Sequence, residues 1–533
     1  MPVDYMVFGG EVPKLHPRNL DDGFASLALD VDVSRGTLRP WPKDQLVDAA
    51  LADSQFIMVE DCTVQASDRC ISVARTNLPC LRYFRTGVAG YPEQAESPNG
   101  PWVRLGMPAL SLPPTVTIPD GITQTEGKVI ERRYLYTLVD IFDQVSQGSL
   151  PSEPIIGDWD NPARISGFYI PPGYPIKSIR IYTTAPGLQS DDTPKADSNS
   201  FFLVSELPAG TLSYDHVPII TSFGEVYLSQ SWYEPPTDLS SIQHWGTNQL
   251  AGLSNGRLMF SQPLGYHAWP VDYQLGFHSP ALAWVATARY GYILTCGMPE
   301  VVDMRHDCQG GKCHQVDRIE EQFPIIGLKS AAAHDNSAIY ASADGLVMLT
   351  GNRARLITSN LFTRDQWLAI HPNTMVGVVH DGFYFGATDN FAFRLRVPDE
   401  AYEANPRNLL TRLSIRPTAI YRSLDDNLFF ADDSGVWKWA AGVGYKPYQW
   451  RGPIETVDSR RGLGAAEVAV DGNCTVNIIR DGRVVWSRNV AGDSSFRLPS
   501  WVDGGNFQIE VIGTGEVSRV KAASSKSVLA TLR

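Results

Sequence analysis

Two cysteines and two histidines fall within His306-Asp-Cys308-Gln-Gly-Gly-Lys-Cys313-His314. Thiolate and imidazole both suit tetrahedral zinc, and Gly310-Gly311 between the cysteines allows a knuckle. Adjacent Cys313 and His314 would have to curl around one ion, however, and no second Cys-x-x-Cys pair supports them. An exposed loop with free thiols, or a disulfide formed on air exposure, competes with the metal reading. His306, Cys308, Cys313 and His314 are therefore weak metal candidates, and no cofactor is expected. Gly252-Leu-Ser254-Asn-Gly256 matches the G-x-S-x-G nucleophile elbow. That motif exposes its serine between a strand and a helix. Here Arg257–Ser261 reads as a strand, so a hairpin turn fits better than a catalytic one. Asp21-Asp22, Asp425-Asp426 and Asp432-Asp433 could supply the paired carboxyls of a glycosidase. All three lie beside Gly or Asn in turn-like stretches and read as solvated turns. Trp269, Trp284, Trp367, Trp437, Trp439 and Trp450 could stack sugars or bases, but they suit packing between sheets better. Arg132-Arg133 and Arg460-Arg461 are too short for nucleic-acid patches and read as solvated surface charge. The expectation is a chain without catalytic residues, and not an enzyme.

The elements that would position these residues are strands. Three segments share one cadence: Ile339-Tyr-Ala-Ser-Ala-Asp-Gly345-Leu-Val-Met-Leu349, Tyr384-Phe-Gly-Ala-Thr-Asp-Asn390-Phe-Ala-Phe-Arg394 and Phe429-Phe-Ala-Asp-Asp-Ser-Gly435-Val-Trp-Lys-Trp439. In each, two short apolar strands flank a turn. Gly345, Asn390 and Gly435 are spaced by 45 residues, and Gly and Asn suit the positive φ of hairpin turns. A hairpin repeat of about 40–50 residues signals a β-propeller, one blade per repeat. Three hairpins of a β-sandwich, falling by chance at that spacing, are the competing reading. Tyr292-Ile-Leu-Thr-Cys296 and Leu250–Phe260 continue the cadence less well.

Upstream, Leu27, Leu29, Val31 and Val33 alternate with Ala28, Asp30 and Asp32, as in a half-buried strand. Arg35-Gly36 reads as a turn and Lys43–Phe56 as one short helix. Phe56–Val59 and Cys70–Ala74 read as strands. Together these predict about six blades, closed by pairing an N-terminal strand with the last one. The cadence breaks from Arg104 to Val217, where strands at Arg133–Val139, Lys177–Thr183 and Phe201–Ser205 suggest an inserted β-sandwich. Asp481-Gly482 marks a further hairpin, and Phe507, Ile509 and Val511 alternate with Gln508 and Glu510. The predicted organisation is all-β: a propeller's first part at 1–106, an inserted fibronectin-III-like sandwich at 107–217, the second part at 218–451 and a C-terminal β-domain at 452–533.

The 533 residues suit two to four domains. Apolar residues at 43% against 19% charged ones argue for large cores rather than disorder. Forty-five basic and 58 acidic residues leave a net charge of −13. Proteins that grip DNA by its phosphates carry basic surfaces, whereas an acidic wall suits a conduit that DNA slides through. The opening MPVDYMVFGG has neither the basic nor the apolar region of a signal peptide, and no apolar run is long enough for a membrane helix. Seven cysteines without a pairing pattern fit a reducing cytoplasm.

Against this background, Asn255-Gly256-Arg-Leu-Met-Phe-Ser261 is followed by Tyr266-His-Ala-Trp-Pro270. On these runs rests a resemblance to the tail nozzle proteins of short-tailed bacteriophages, the tail tubular protein B family. Tyr340-Ala-Ser-Ala-Asp-Gly-Leu346, Phe362-Thr-Arg-Asp-Gln-Trp367 and Pro372-Asn-Thr-Met375 extend it, as does the Ala25–Pro40 stretch. Tyr134-Leu-Tyr-Thr and Pro151-Ser-Glu-Pro are similar to the fibronectin-type insert, and Arg497-Leu-Pro499 with Glu516–Val520 to the C-terminal domain. The motifs are short, but their order runs along nearly the whole chain. Asp303–Gln322 departs from the simpler loop of the family, and the chain is shorter than many nozzles.

The resemblance implies a homohexameric ring in the virion tail, assembled in the host cytoplasm. It implies docking below the portal on the head-to-tail adaptor protein, with tail fibres or a spike as further partners. Viral DNA would pass through the lumen without specific binding. The alternative is a carbohydrate-binding or carbohydrate-cleaving surface propeller, with flanking aromatics around a carboxylate pair.

Overall fold

The computed structural model describes residues 3–60, 63–76, 81–119, 121–126, 129–184, 187–188, 194–195, 200–218, 224–246, 248–303, 316–398, 409–457, 462–499 and 505–532. The chain is nearly all β, and among the described residues the α-helices are two single turns or little more, Arg364–Ala369 and Lys526–Thr531. No helix among the described residues is long and apolar enough to cross a membrane. The chain divides into two compact units. One comprises 1–70, 277–303 and 315–533; the other comprises 71–276 and 304–314.

The first unit is built from four-stranded antiparallel meanders. One runs Ala281–Ala286, Tyr290–Thr295, Glu300–Asp303 and Val316–Arg318; the next runs Ile325–His334, Ser337–Ser342, Gly345–Thr350 and Arg353–Leu356. A third runs Val376–His380, Phe383–Ala387, Ala392–Arg396 and Leu410–Arg412, and continues through a parallel pairing of Arg412 with Leu29 into a ten-stranded sheet. The fourth, Ala419–Arg422, Leu428–Asp432 and Gly435–Lys438, takes its outer strand from Gln45–Asp48. Most neighbouring strands within them, such as Ser337–Ser342 with Gly345–Thr350 and Leu428–Asp432 with Gly435–Lys438, are consecutive and joined by tight turns, a product of local turn chemistry.

The shared cadence appears in them with one correction. Gly345 and Gly435 have φ of +149° and +143°, but Asn390 lies outside the left-handed region. The loop from Ala387 to Ala392 is longer than the other two. Asn390 serves it through its side chain, which donates to the Ala369 carbonyl at 3.0 Å and accepts from Thr388 at 3.2 Å.

Two N-terminal expectations also change. Lys43–Phe56 is not a helix. Its residues Gln45–Asp48 pair with Lys438–Val436, and a sheet edge nearly 400 residues away overrides local propensity. The alternation from Leu27 to Val33 is broken at Asp30, whose φ of +51° turns the chain over. Ala28 and Val31 are consequently both fully buried, while Leu27 and Leu29 are half-buried. Arg35-Gly36 does turn: Gly36 has φ +78° and its N–H donates to Val33.

The strands after residue 452 share sheets with the N-terminus. Glu516–Ala523 lies between Val3–Tyr5 and Ala465–Asp471. Gly505–Gly513 pairs with Tyr448–Arg451, which in turn pairs with Leu27–Leu29. The two sheets enclose one core holding Tyr5, Phe8, Trp450, Val476, Val511 and Val520. Asp481 and Gly482, at φ +50° and +78°, form the hairpin the sequence predicts.

The second unit holds two further meanders, Ser72–Thr76, Arg82–Thr86, Glu93–Ala95, Val103–Arg104 and Ser240–Trp245, Gln249–Ser254, Arg257–Phe260, Gln274–Leu275. They share a core of Phe84, Leu105, Ile242, Leu250 and Trp269. Between them in sequence, Tyr134–Asp140, Ile176–Thr184 and Phe201–Pro208 form one sheet. Thr115–Thr117, Ala163–Ser166 and Ser213–His216 form another, and Tyr134, Ile165 and Ile181 pack between them.

The free edge of Tyr134–Asp140 is closed by a serine ladder. Ser146, Ser149 and Ser152 accept from the backbone N–H of Leu138, Tyr136 and Tyr134 at 2.9, 3.1 and 3.0 Å. Their own N–H groups donate back to the carbonyls of the same three residues. A segment with a three-residue repeat thus runs beside a strand with a two-residue repeat. Each buried edge amide is satisfied, as burial of peptide groups requires.

Candidate binding cavity

The second unit contains a cavity of about 490 Å³. Its walls come from four stretches of chain: Thr76, Arg82 and Phe84 on neighbouring strands, the turn Phe142–Val145, Trp232, and the loop Gln262–His267. The last of these begins the Tyr266-His-Ala-Trp-Pro270 run. That run is held from inside. Trp269 is 2% exposed and its indole N–H donates to the Tyr266 carbonyl at 3.0 Å, while the Gln262 N–H donates to the Ala268 carbonyl at 2.7 Å.

His267 is pinned by the Val145 carbonyl, 3.1 Å from Nε2. A carbonyl can only accept, so Nε2 carries the proton and Nδ1 keeps its lone pair. Burial pushes the His267 pKa down to about 4; the Val145 bond opposes this and the Arg82 charge adds to it. The ring is therefore neutral near pH 7. Trp232 meets it edge-on at 5.3 Å. Arg82 lies 3.9 Å from the centroid of Phe142, a cation–π contact. The turn carrying Phe142 is built by Asp140, which accepts from the N–H groups of Phe142 and Gln144 at 2.8 and 2.9 Å. Burial raises the Asp140 pKa to about 6 against those two hydrogen bonds. Gln144 is locked to Gln94 by a reciprocal amide pair at 2.9 and 3.0 Å. Asp143, at the rim, pairs with Lys177. The cavity thus offers aromatic walls, a guanidinium and a neutral imidazole.

The residues singled out from sequence are spent elsewhere. Ser254 sits on a hairpin whose Asn255 and Gly256 have φ of +49° and +72°, and its hydroxyl donates to Asp238 at 2.7 Å. Asp432 accepts from Ser434 and Trp437 within its own turn, and Asp426, at φ +62°, accepts from Arg422 and His380. The Asp21 carbonyl closes a turn onto Phe24. Trp269, Trp284, Trp367, Trp439 and Trp450 are buried, and Trp437 is half-buried. The Trp367 indole donates to the Ser342 carbonyl at 2.8 Å, from a helix held by the Thr363–Gln366 capping box.

Arg132 is a correction. It is 2% exposed, because its planar fork reaches the Asn161 carbonyl at 2.7 Å and the Tyr134 hydroxyl at 3.3 Å. Arg133 is exposed and pairs with Glu131. His306, Cys308, Cys313, His314, Arg460 and Arg461 lie outside the described residues. Among the described residues no group of three or more His, Cys, Asp or Glu side chains is placed to hold a metal.

No family model and no curated protein matches this chain. Among solved structures, it is similar to Hsv2 of Kluyveromyces marxianus at 10% identity and TM-score 0.26, covering 61% of this chain and 94% of that one. Hsv2 of Kluyveromyces lactis gives 9% identity and TM-score 0.26, over 64% and 97%. The extracellular domain of a hybrid two-component system from B. thetaiotaomicron gives 13% identity and TM-score 0.18, over 60% and 51%. Likeness at this level carries no argument about fold or function.

Proposed function

We propose that the chain is a structural subunit of the tail of a short-tailed bacteriophage, a nozzle ring through which DNA leaves the capsid. The observation that carries this reading is what the motif residues do. Asn255-Gly256 makes a hairpin, and Ser261 accepts from the buried Leu250 N–H at 2.9 Å. Trp269 and Trp367 plug cores, and Thr363–Gln366 caps a helix. Residues of this kind build a rigid frame and leave the work to the shape of an assembly.

We read the six four-stranded meanders as blades of one propeller, with Gln45–Asp48 supplying the outer strand of the last. The sheets formed from 107–217 are read as an inserted fibronectin-like sandwich. Six copies would close through heterologous contacts, each subunit offering two complementary faces. The net charge of −13 favours release of DNA over retention. Docking on a head-to-tail adaptor, and contact with fibres or a spike, follow from this plan, as does a place in the virion. The reading assigns no reaction to the chain.

Electron microscopy of the purified chain, alone and with its adaptor, tests the proposal. Six-fold rings with a central channel support it. A stable dimer, trimer or tetramer without a channel overturns it and favours the surface-carbohydrate alternative.

A further inference from the structure

The cavity beside the Tyr266–Pro270 run is lined by polar as well as aromatic side chains. The Trp232 indole N–H and the Gln262 side-chain amide make no hydrogen bond to any described residue. His267 spends Nε2 on Val145 and keeps Nδ1 as an acceptor. Arg82 adds a guanidinium stacked on Phe142. The walls thus combine a donor, a donor–acceptor amide and an acceptor with aromatic surfaces from Phe142, Trp232 and Tyr266. The volume falls within the roughly 300–1,000 Å³ of small-molecule sites.

We propose that this cavity binds one pyranose unit of a glycan. A pyranose has an apolar C–H face, which needs an aromatic platform, and a rim of hydroxyls, each both donor and acceptor. The wall chemistry is of that mixed kind. It does not suit a phosphate ligand: the single guanidinium already feels the carboxylates of Asp140 and Asp143. Nor does it suit a lipid tail, which would leave the Gln262 amide without a partner. The proposal stands apart from the ring: a lone subunit and a ring would both carry the site.

The test is saturation-transfer NMR on the full chain with four probes: glucose, galactose, N-acetylglucosamine and glucuronic acid. At least one should show saturable binding with Kd on the order of 1 mM. Gln262→Ala and Trp232→Phe should each weaken it about tenfold, one lost hydrogen bond. Gln262→Ala should leave the melting temperature unchanged, since its amide holds no described residue. That variant keeps the test valid if Trp232→Phe disturbs the fold. No saturable transfer to any of the four sugars overturns the proposal, and so does binding that both variants leave intact.

Discussion

Arg394 donates from Nη1 to Oδ1 of Asp32 at 3.1 Å, across a sequence separation of 362. Its guanidinium carbon lies 3.3 Å from the Phe383 ring centroid and 4.5 Å from that of Trp41. Burial lowers the Arg394 pKa to about 10, against the pull of Asp32. The pair ties the strand Val31–Asp32 to the strand Ala392–Arg396. Removing one partner strands the other charge in the core, so Asp32→Asn is expected to cost about 3–5 kcal/mol. The double variant Asp32→Asn/Arg394→Met should be more stable than Asp32→Asn alone, because no orphaned charge remains. Urea midpoints of the three proteins check this. A double variant no better than the single would show that Arg394 acts through its aromatic contacts.

Ser149 is the middle rung of the ladder on Tyr134–Asp140. Ser149→Ala leaves the Tyr136 N–H without its partner at 5% local exposure of the serine. The expected cost is about 1–3 kcal/mol, the penalty of an unsatisfied buried donor. Hydrogen exchange offers a sharper readout: the Tyr136 amide should exchange faster while Tyr134 and Leu138 stay protected. Uniform acceleration along the strand would mean that the ladder is one cooperative unit.

What the sequence disclosed was local. Asn255-Gly256 and Asp481-Gly482 are legible as turns because the positive φ they need is a property of those residues alone. Gln45–Asp48 was not legible as a strand, because its partner Gly435–Lys438 lies far along the chain. Arg132 looked like surface charge because nothing in sequence brings Asn161 to it. The cavity was hidden for the same reason. Its walls come from residues near 76–84, 142–145, 232 and 262–267, and only tertiary packing joins them. Ser146, Ser149 and Ser152 did carry a sign, a three-residue repeat beside a strand.

Gly435 and Gly482 have positive φ but answer to different needs. A Cβ on Gly435 would stand 2.5 Å from the Asp48 carbonyl oxygen and 2.9 Å from the Ala49 Cα, both backbone. Gly435→Ala should cost more than about 1 kcal/mol and release the Gln45–Asp48 strand, read as loss of amide protection at 45–48. Gly482 has nothing within 4 Å of its Cβ position, at φ +78°. Asn tolerates that backbone, so Gly482→Asn should stay within roughly 0.5 kcal/mol of the parent. Equal damage from both would mean that φ, rather than the close approach of Asp48, sets the cost.

His216, His244 and His267 all lie in the second unit, and burial lowers the pKa of each; for His216 and His267 it falls to about 4. The folded state then binds fewer protons than the unfolded state between about pH 6.5 and 4, so stability there must rise with pH. Their contribution is complete above the unfolded value of 6.5 and is lost as pH falls through 4. Asp140 works in the opposite sense. Its folded pKa of about 6 exceeds the ordinary 3.8, so its contribution is greatest in acid and declines as pH rises through 6. Within the second unit, two strongly shifted histidines against one raised carboxyl leave acid as the destabilising direction. Each full shift corresponds to about 3 kcal/mol at most. His267→Gln keeps a side-chain N–H for Val145 and removes one of the titrations. The difference in urea midpoint between pH 7 and pH 4.5 should therefore be smaller in His267→Gln than in the parent. An unchanged difference would place the acid sensitivity on His216 and His244.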